Sequence, residues 1–134
     1  MHVYDESFVY EDENIRLTPF KTGHLAYKNR PSYGFVLECE GKRIVFSGDL
    51  SYLLEADDFP TAATECPSDA FICELAHFDF ELLRPYIERF KTDALYFNHI
   101  KYPNERIPLL LAENEMGNFP FPIFAPCDGD VIEL

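Results

Sequence analysis

The rhythm of apolar and polar positions changes once along the chain, near residue 70. Before that point apolar residues come in short bursts at 7–10, 15–20, 33–39 and 43–47, each bounded by polar or Gly-containing segments, and these predict strands. The polar word Glu11-Asp12-Glu13-Asn14 turns the chain between the first two. Glu40-Gly41-Lys42 is too brief for a crossover helix, so 33–39 and 43–47 are expected to pair as an antiparallel hairpin.

After residue 70, two near-continuous apolar runs, 70–75 and 94–98, flank a segment in which Phe80, Leu83, Ile87 and Phe90 share one helical stripe. That order predicts a βαβ unit, with Asp79 as the helix cap. Pro85 cannot donate to the carbonyl four residues back, so the helix is expected to kink there or to begin only near Leu82. A second helix is expected over 104–116, capped by Asn104, facing Ile107, Leu110 and Leu111 inward and ended by Gly117. Runs at 121–125 and 131–134 read as closing strands around Asp128-Gly129-Asp130. Together these elements predict an α/β fold, one mixed sheet with helices against one face. Nothing in the pattern supplies a second helical layer. The other face, rich in Phe, Ile and Leu, is expected to meet another polypeptide in an oligomer.

Composition narrows the function classes. The 134 residues suit a single domain, 47% hydrophobic content fills a core, and 11 Lys plus Arg against 24 Asp plus Glu leave a net charge of -13. Such a surface repels a phosphate backbone, which disfavours nucleic acid as a partner. Cys39, Cys66, Cys73 and Cys127 stand far apart with no CxxC pair, signalling neither a disulfide framework nor a structural zinc. Isolated thiols, the absence of a signal-peptide pattern at the N-terminus and of any long apolar stretch lead to the expectation of a soluble cytoplasmic protein with no membrane partner.

Three polar residues stand at or just beyond the ends of apolar strands: His24, Asp49 and His99. In open sheets, side chains distant in sequence converge at such ends, and two imidazoles with a carboxylate suit zinc, manganese or iron. Each also has a plain structural reading. Taken alone, His24 reads more readily as a solvated loop residue than as a ligand, while Asp49 reads as well as a turn or cap and His99 as a histidine hydrogen-bonded at the rim of the core.

Taken with their flanking words, the three resemble a family. The strings TPFKTGH, SYGFVLECEGKRIVFSGDL, DAFICELAH, DALYFNHI and APCDGDVIEL resemble, in order and spacing, the C-terminal half of a metallo-β-lactamase-fold hydrolase. The nearest branch is that of the transfer-RNA 3′-processing nucleases and related phosphodiesterases. The resemblance implies one half of an αββα sandwich and a centre of two metal ions, usually zinc, bridged by a water and an aspartate. By motif, His24 resembles the lone histidine before the S-Y/F-G-Y/F strand, Asp49 the bridging aspartate, and His99 the final histidine. Glu74 sits in the family's C-E-A word, and His77, 22 residues before His99, matches a proton donor to the leaving group. Read without the family, Glu74 is a strand-end hydrogen-bond acceptor and His77 a helix-start side chain.

The family's H-x-H-x-D-H word, which carries four of its metal ligands, is absent from these 134 residues. Three readings follow. In the first, the chain is the C-terminal part of a metal-dependent hydrolase, attacking an ester or phosphodiester with metal-activated water and working only with a separate N-terminal half. In the second it is a catalytically dead half-domain that homodimerises and serves as a binding or scaffold protein. The third is a receiver-type signalling domain, suggested by Asp12-Glu13, Asp49 and the Lys101-x-Pro103 word. The tight hairpin before Asp49 argues against this third reading, because a receiver needs helices between its parallel strands. A nucleotide-binding reading of RIVFSGD fails for want of a G-x-x-x-x-G-K-[ST] loop. The substrate is not legible, because fold does not fix chemistry.

Overall fold

Alternation of apolar side chains along the chain builds a seven-stranded mixed sheet in the computed structural model, which describes residues 9–51 and 61–134. The strands are β1 (Tyr10–Glu11), β2 (Ile15–Thr22), β3 (Ser32–Cys39), β4 (Lys42–Phe46), β5 (Ala70–Leu75), β6 (Leu95–Ile100) and β7 (Ile123–Phe124), and their order in the sheet follows the chain. Neighbours from β1 to β4 are antiparallel, and those from β4 to β7 are parallel. Helices α1 (Thr61–Thr64), α2 (Phe80–Ile87) and α3 (Pro103–Glu115) all follow β4. None of the described helices is long and apolar enough to cross a membrane.

The hairpin between β3 and β4 is present and one residue tighter than expected. Cys39 pairs with Lys42, so Lys42 opens the strand and only Glu40 and Gly41 turn, both with positive φ (51° and 79°), as a two-residue hairpin loop requires. β2 runs two residues past Phe20. The opening strand expected at 7–10 is found at Tyr10–Glu11, while residues 7 and 8 lie outside the described residues. Asp12, Glu13 and Asn14 make the turn, held by main-chain N–H groups of Asn14 and Ile15 donating to Asp12 Oδ1.

The helices depart from expectation at their ends. α2 starts at Phe80, Pro85 sits inside it, and Phe90 lies beyond its end although still in the core. Asp79 occupies the cap position without capping, because its carboxylate pairs with the Arg106 guanidinium of α3 instead. Likewise Tyr102, in the left-handed region at φ 57°, precedes α3 in place of Asn104, and Pro103 takes the first turn, where a missing N–H costs nothing. Leu110 is buried, but Leu111 is 44% exposed, contrary to expectation. Residues 131–134 form no strand: Val131 is 85% exposed and pairs with nothing in the sheet.

The two faces of the sheet differ. On one, the cross-strand row Val36, Val45, Phe71, Leu95 and Ile123 continues into Cys73 and Phe97, and all belong to one core with Ala63 of α1, Leu83 and Ile87 of α2 and Leu110 of α3. Phe71 meets Phe90, and Phe97 meets Phe80, edge to face. The opposite face carries the parallel row Phe35, Phe46, Ile72, Tyr96 and Phe124. Phe35 stacks on Phe46 and Tyr96 on Phe124. None of these five belongs to the core, and all keep surface open to solvent.

Candidate metal centre

Because β3 is antiparallel to both its neighbours, β2 runs in the same direction as β4, β5 and β6. The residues that follow these four strands therefore meet at one edge of the sheet, the edge at which open α/β sheets bind ligands. His24 follows β2, Asp49 follows β4, Glu74 and His77 flank the end of β5, and His99 lies at the end of β6. All five are brought together. His24, Asp49 and His77 each offer one ligand atom, these atoms lying within 4.8 Å of one another, and so do Glu74, His77 and His99.

Local chemistry explains how each side chain is placed. After β4 the chain must turn sharply, and Gly48 does so at φ 60°, where an added Cβ would run into the Tyr33 carbonyl. Thr22, buried at the end of β2, donates its hydroxyl to the Asp49 carbonyl at 2.8 Å. Ser47 donates to the Gly48 carbonyl at 2.7 Å and accepts the Glu74 N–H at 3.0 Å. The β5–α2 loop that carries His77 is tied down by Arg106, which donates to the carbonyls of Leu75 and Phe78.

Glu74 is 1% exposed and its carboxylate is saturated. Oε1 accepts the Leu50 N–H at 3.0 Å and Oε2 accepts the N–H groups of Ala76 and His77. His77 Nδ1 lies 3.0 Å from Oε1 and therefore carries the proton, which leaves Nε2 as the lone-pair atom of the neutral ring. His24 Nδ1 lies 3.1 Å from the Leu50 carbonyl, an acceptor only, so its lone pair is on Nε2 as well. That Nε2 is 3.8 Å from Asp49 Oδ2. The His24 and His77 rings lie 4.3 Å apart and the His77 and His99 rings 5.3 Å apart, both edge to face.

His99 reaches the cluster through a bulge. Glu74 pairs with Asn98 and Leu75 with Ile100, so His99 is the extra residue, with φ at 44°. A bulge of this kind redirects one side chain out of the pleat. His99 Nδ1 comes to 3.2 Å from Asp49 Oδ1, the carboxylate oxygen not facing His24.

The donor set suits a zinc ion: imidazole nitrogens and a carboxylate oxygen, each imidazole fixed in one tautomer by a partner on its other nitrogen. Bond lengths near 2.0–2.1 Å put tetrahedral donors about 3.3 Å apart, so the three-residue groups would close inward on an ion. Side-chain exposures of 21% for His24, 29% for His77 and 44% for Asp49 leave it a path from solvent. Cys73 is not a candidate ligand, since it points into the core, where burial pushes its thiol up and keeps the proton on sulfur. All four cysteines are free. A cavity of about 160 Å³ opens beside the cluster, and Asp49, Glu74 and His99 line it together with Phe35, Phe46 and Ile72.

Sequence reasoning missed the supporting residues Thr22, Ser47 and Leu50. Thr22 and Ser47 stand in the words T-G-H and S-G-D, next to residues that were singled out. Leu50, whose side chain is buried in the core, meets the site through its main-chain N–H and carbonyl, and a side-chain pattern carries no sign of those bonds.

No protein-family model and no curated protein matches the chain. Solved structures do. The metallo-β-lactamase fold protein YhfI from Bacillus subtilis superposes with a TM-score of 0.71 at 13% identity, over 97% of this chain and 54% of its own. A Thermotoga maritima protein assigned to the Zn-dependent hydrolases of the metallo-β-lactamase superfamily gives a TM-score of 0.60 at 15% identity, over 92% of this chain and 71% of its own. A variant of the β-hydroxylase CmlA gives 0.62 at 12% identity, over 92% and 32%. The chain thus spans about half the length of YhfI. The fold of this chain is the metallo-β-lactamase fold.

Proposed function

We propose that this chain is the C-terminal half of a zinc-dependent hydrolase acting on an ester or phosphodiester, and that its open sheet face receives the half that carries H-x-H-x-D-H. The observation that carries the reading is the convergence of His24, Asp49, His77 and His99 at one sheet edge with Glu74 behind them. A zinc centre of this family's kind supplies a water acidic enough to exist as hydroxide near neutral pH. Within this chain, His24, Asp49 and His99 are the ligands offered to the shared centre. Asp49 presents one oxygen toward His24 and the other toward His99, as a bridging carboxylate would. Glu74 orients His77, whose Nε2 is free to hold a proton for the departing group.

Two observations favour a second half over a lone chain. The apolar row from Phe35 to Phe124 is open to solvent, and the chain spans 54% of YhfI. The cavity beside the cluster shares Phe35, Phe46 and Ile72 with that row, so a docked half would also wall the site.

The test is to measure zinc by elemental analysis, and hydrolysis of an activated phosphodiester and an activated ester, with the chain alone and with a polypeptide carrying H-x-H-x-D-H. Two zinc ions and turnover only in the mixture are expected. A stable homodimer by light scattering, indifferent to both zinc and the second polypeptide, would instead select the scaffold reading.

A further inference from the structure

From the same cluster we infer that the 134-residue chain by itself holds one divalent cation of the zinc class, and that His77, not His99, is its second imidazole ligand beside His24 and Asp49. This rests on the reading of the cluster as a metal centre and assigns His77 a role that reading does not contain.

Three observations select His77. His24, Asp49 and His77 offer ligand atoms within 4.8 Å of one another, whereas His99 falls in a group with Glu74 and His77. In that second group the carboxylate is already saturated by three main-chain N–H groups and by His77 Nδ1, so it has little left to give an ion. The second observation is preorganisation. Leu50 fixes both imidazoles through its own main chain, on two successive peptide groups: its carbonyl accepts from His24 Nδ1, and its N–H holds Glu74, which accepts from His77 Nδ1. Both rings are thereby left with the lone pair on Nε2, the arrangement found when a metal-binding histidine is held from behind by a carboxylate or carbonyl. Third, the His24 and His77 rings are 4.3 Å apart with only 21% and 29% of their side chains exposed, while His99 is 54% exposed and spends Nδ1 on Asp49. In the chain by itself His99 is then a positioning residue that steadies the carboxylate, and its place as a ligand belongs to the centre completed by the second half.

Zinc titration of the full 134-residue chain against a chelating dye, together with imidazole nitrogen NMR of the wild-type chain, tests the assignment. The expected stoichiometry is one, with the Nε2 resonances of His24 and His77 shifting on zinc addition while both Nδ1 protons remain. His77→Ala is expected to weaken zinc by more than about 100-fold, beyond the roughly 10–100-fold range of residues that only orient a ligand, and His99→Ala by about 10-fold. Cobalt(II) in place of zinc should give an absorption spectrum that His77→Ala alters and His99→Ala leaves nearly unchanged. The NMR experiment needs no variant, so a His77→Ala chain that fails to fold leaves the question decidable. If zinc binds and moves His24 and His99 but not His77, the inference falls and the proposed function stands. If the chain and its mixture with the H-x-H-x-D-H half both take up no zinc, the proposed function falls with it.

Discussion

The main-chain N–H of Leu50 donates to Oε1 of Glu74 at 3.0 Å, across 24 residues of sequence and inside the protein. Through that bond the strap after β4 and the end of β5 share one carboxylate. Glu74→Gln keeps the size but replaces one oxygen with an amide NH₂. Whichever oxygen is replaced, two donors lose their acceptor: Leu50 N–H and His77 Nδ1–H, or the N–H groups of Ala76 and His77. Urea unfolding is expected to show a loss of about 1–3 kcal/mol for each buried donor left unsatisfied. Zinc affinity is expected to fall roughly 10–100-fold, as for other residues that orient a ligand.

Gly48→Ala forces a side chain into φ 60° against the Tyr33 carbonyl. The expected cost is more than about 1 kcal/mol by chemical denaturation, since both the conformation and the space are wrong for a methyl group. Asp49 is the next residue, so zinc binding should weaken as well.

His99→Gly should separate stability from function. Glycine relieves the left-handed backbone at φ 44°, which for other residues costs about 1–2 kcal/mol, so stability is expected to rise by up to about 1 kcal/mol. The same change removes the contact to Asp49 Oδ1 and should weaken zinc on the order of 10-fold. A variant that loses both stability and zinc would show that the bulge is held by the imidazole.

Asp69 links the β3–β4 hairpin to the start of β5. The Arg43 N–H and then the Lys42 ammonium donate to its carboxylate and hold it below the usual carboxylate range. A pKa lower in the folded than in the unfolded state stabilises the fold above the unfolded value of about 3.9, and the gain is lost as pH falls through the folded value. Asp69→Asn should therefore be less stable than the parent at pH 7. The gap should close as unfolding is repeated at pH values stepped downward from about 4.

Ile72 lies at the middle of the solvent-facing apolar row, between Phe46 and Tyr96. Ile72→Lys is expected to leave the circular dichroism spectrum of the isolated chain nearly unchanged, because the residue lies outside the core. Binding of the H-x-H-x-D-H half, followed by sedimentation, should be lost.

Much of this architecture was legible in the sequence because local patterns carry it. The short Glu40-Gly41-Lys42 connection between two apolar runs specifies a hairpin, though Lys42 itself opens β4, and the apolar runs around Phe80, Leu83 and Ile87 specify a βαβ unit. The elements that were misread depend on tertiary partners. Asp79 looks like a cap until Arg106, 27 residues later, takes its carboxylate. Val131 and Ile132 look like a strand, but β7 ends at Phe124 and no described strand pairs with them. At the site, His24, Asp49 and His99 were visible as strand-end residues expected to meet at one rim, and Glu74 and His77 through a family likeness. Their spacing and orientation were not visible: these depend on a one-residue bulge and on the main-chain N–H and carbonyl of Leu50, neither of which has a side-chain signature.

The cavity beside the cluster has a consequence for how such a protein can change over generations. Phe35, Phe46 and Ile72 belong to both the cavity wall and the open sheet face, so one set of side chains would govern both what the sheet adheres to and what fits against the cluster. On the proposed function, substitutions that retune the choice of reactant would also disturb recognition of the second half, and the two properties would drift together.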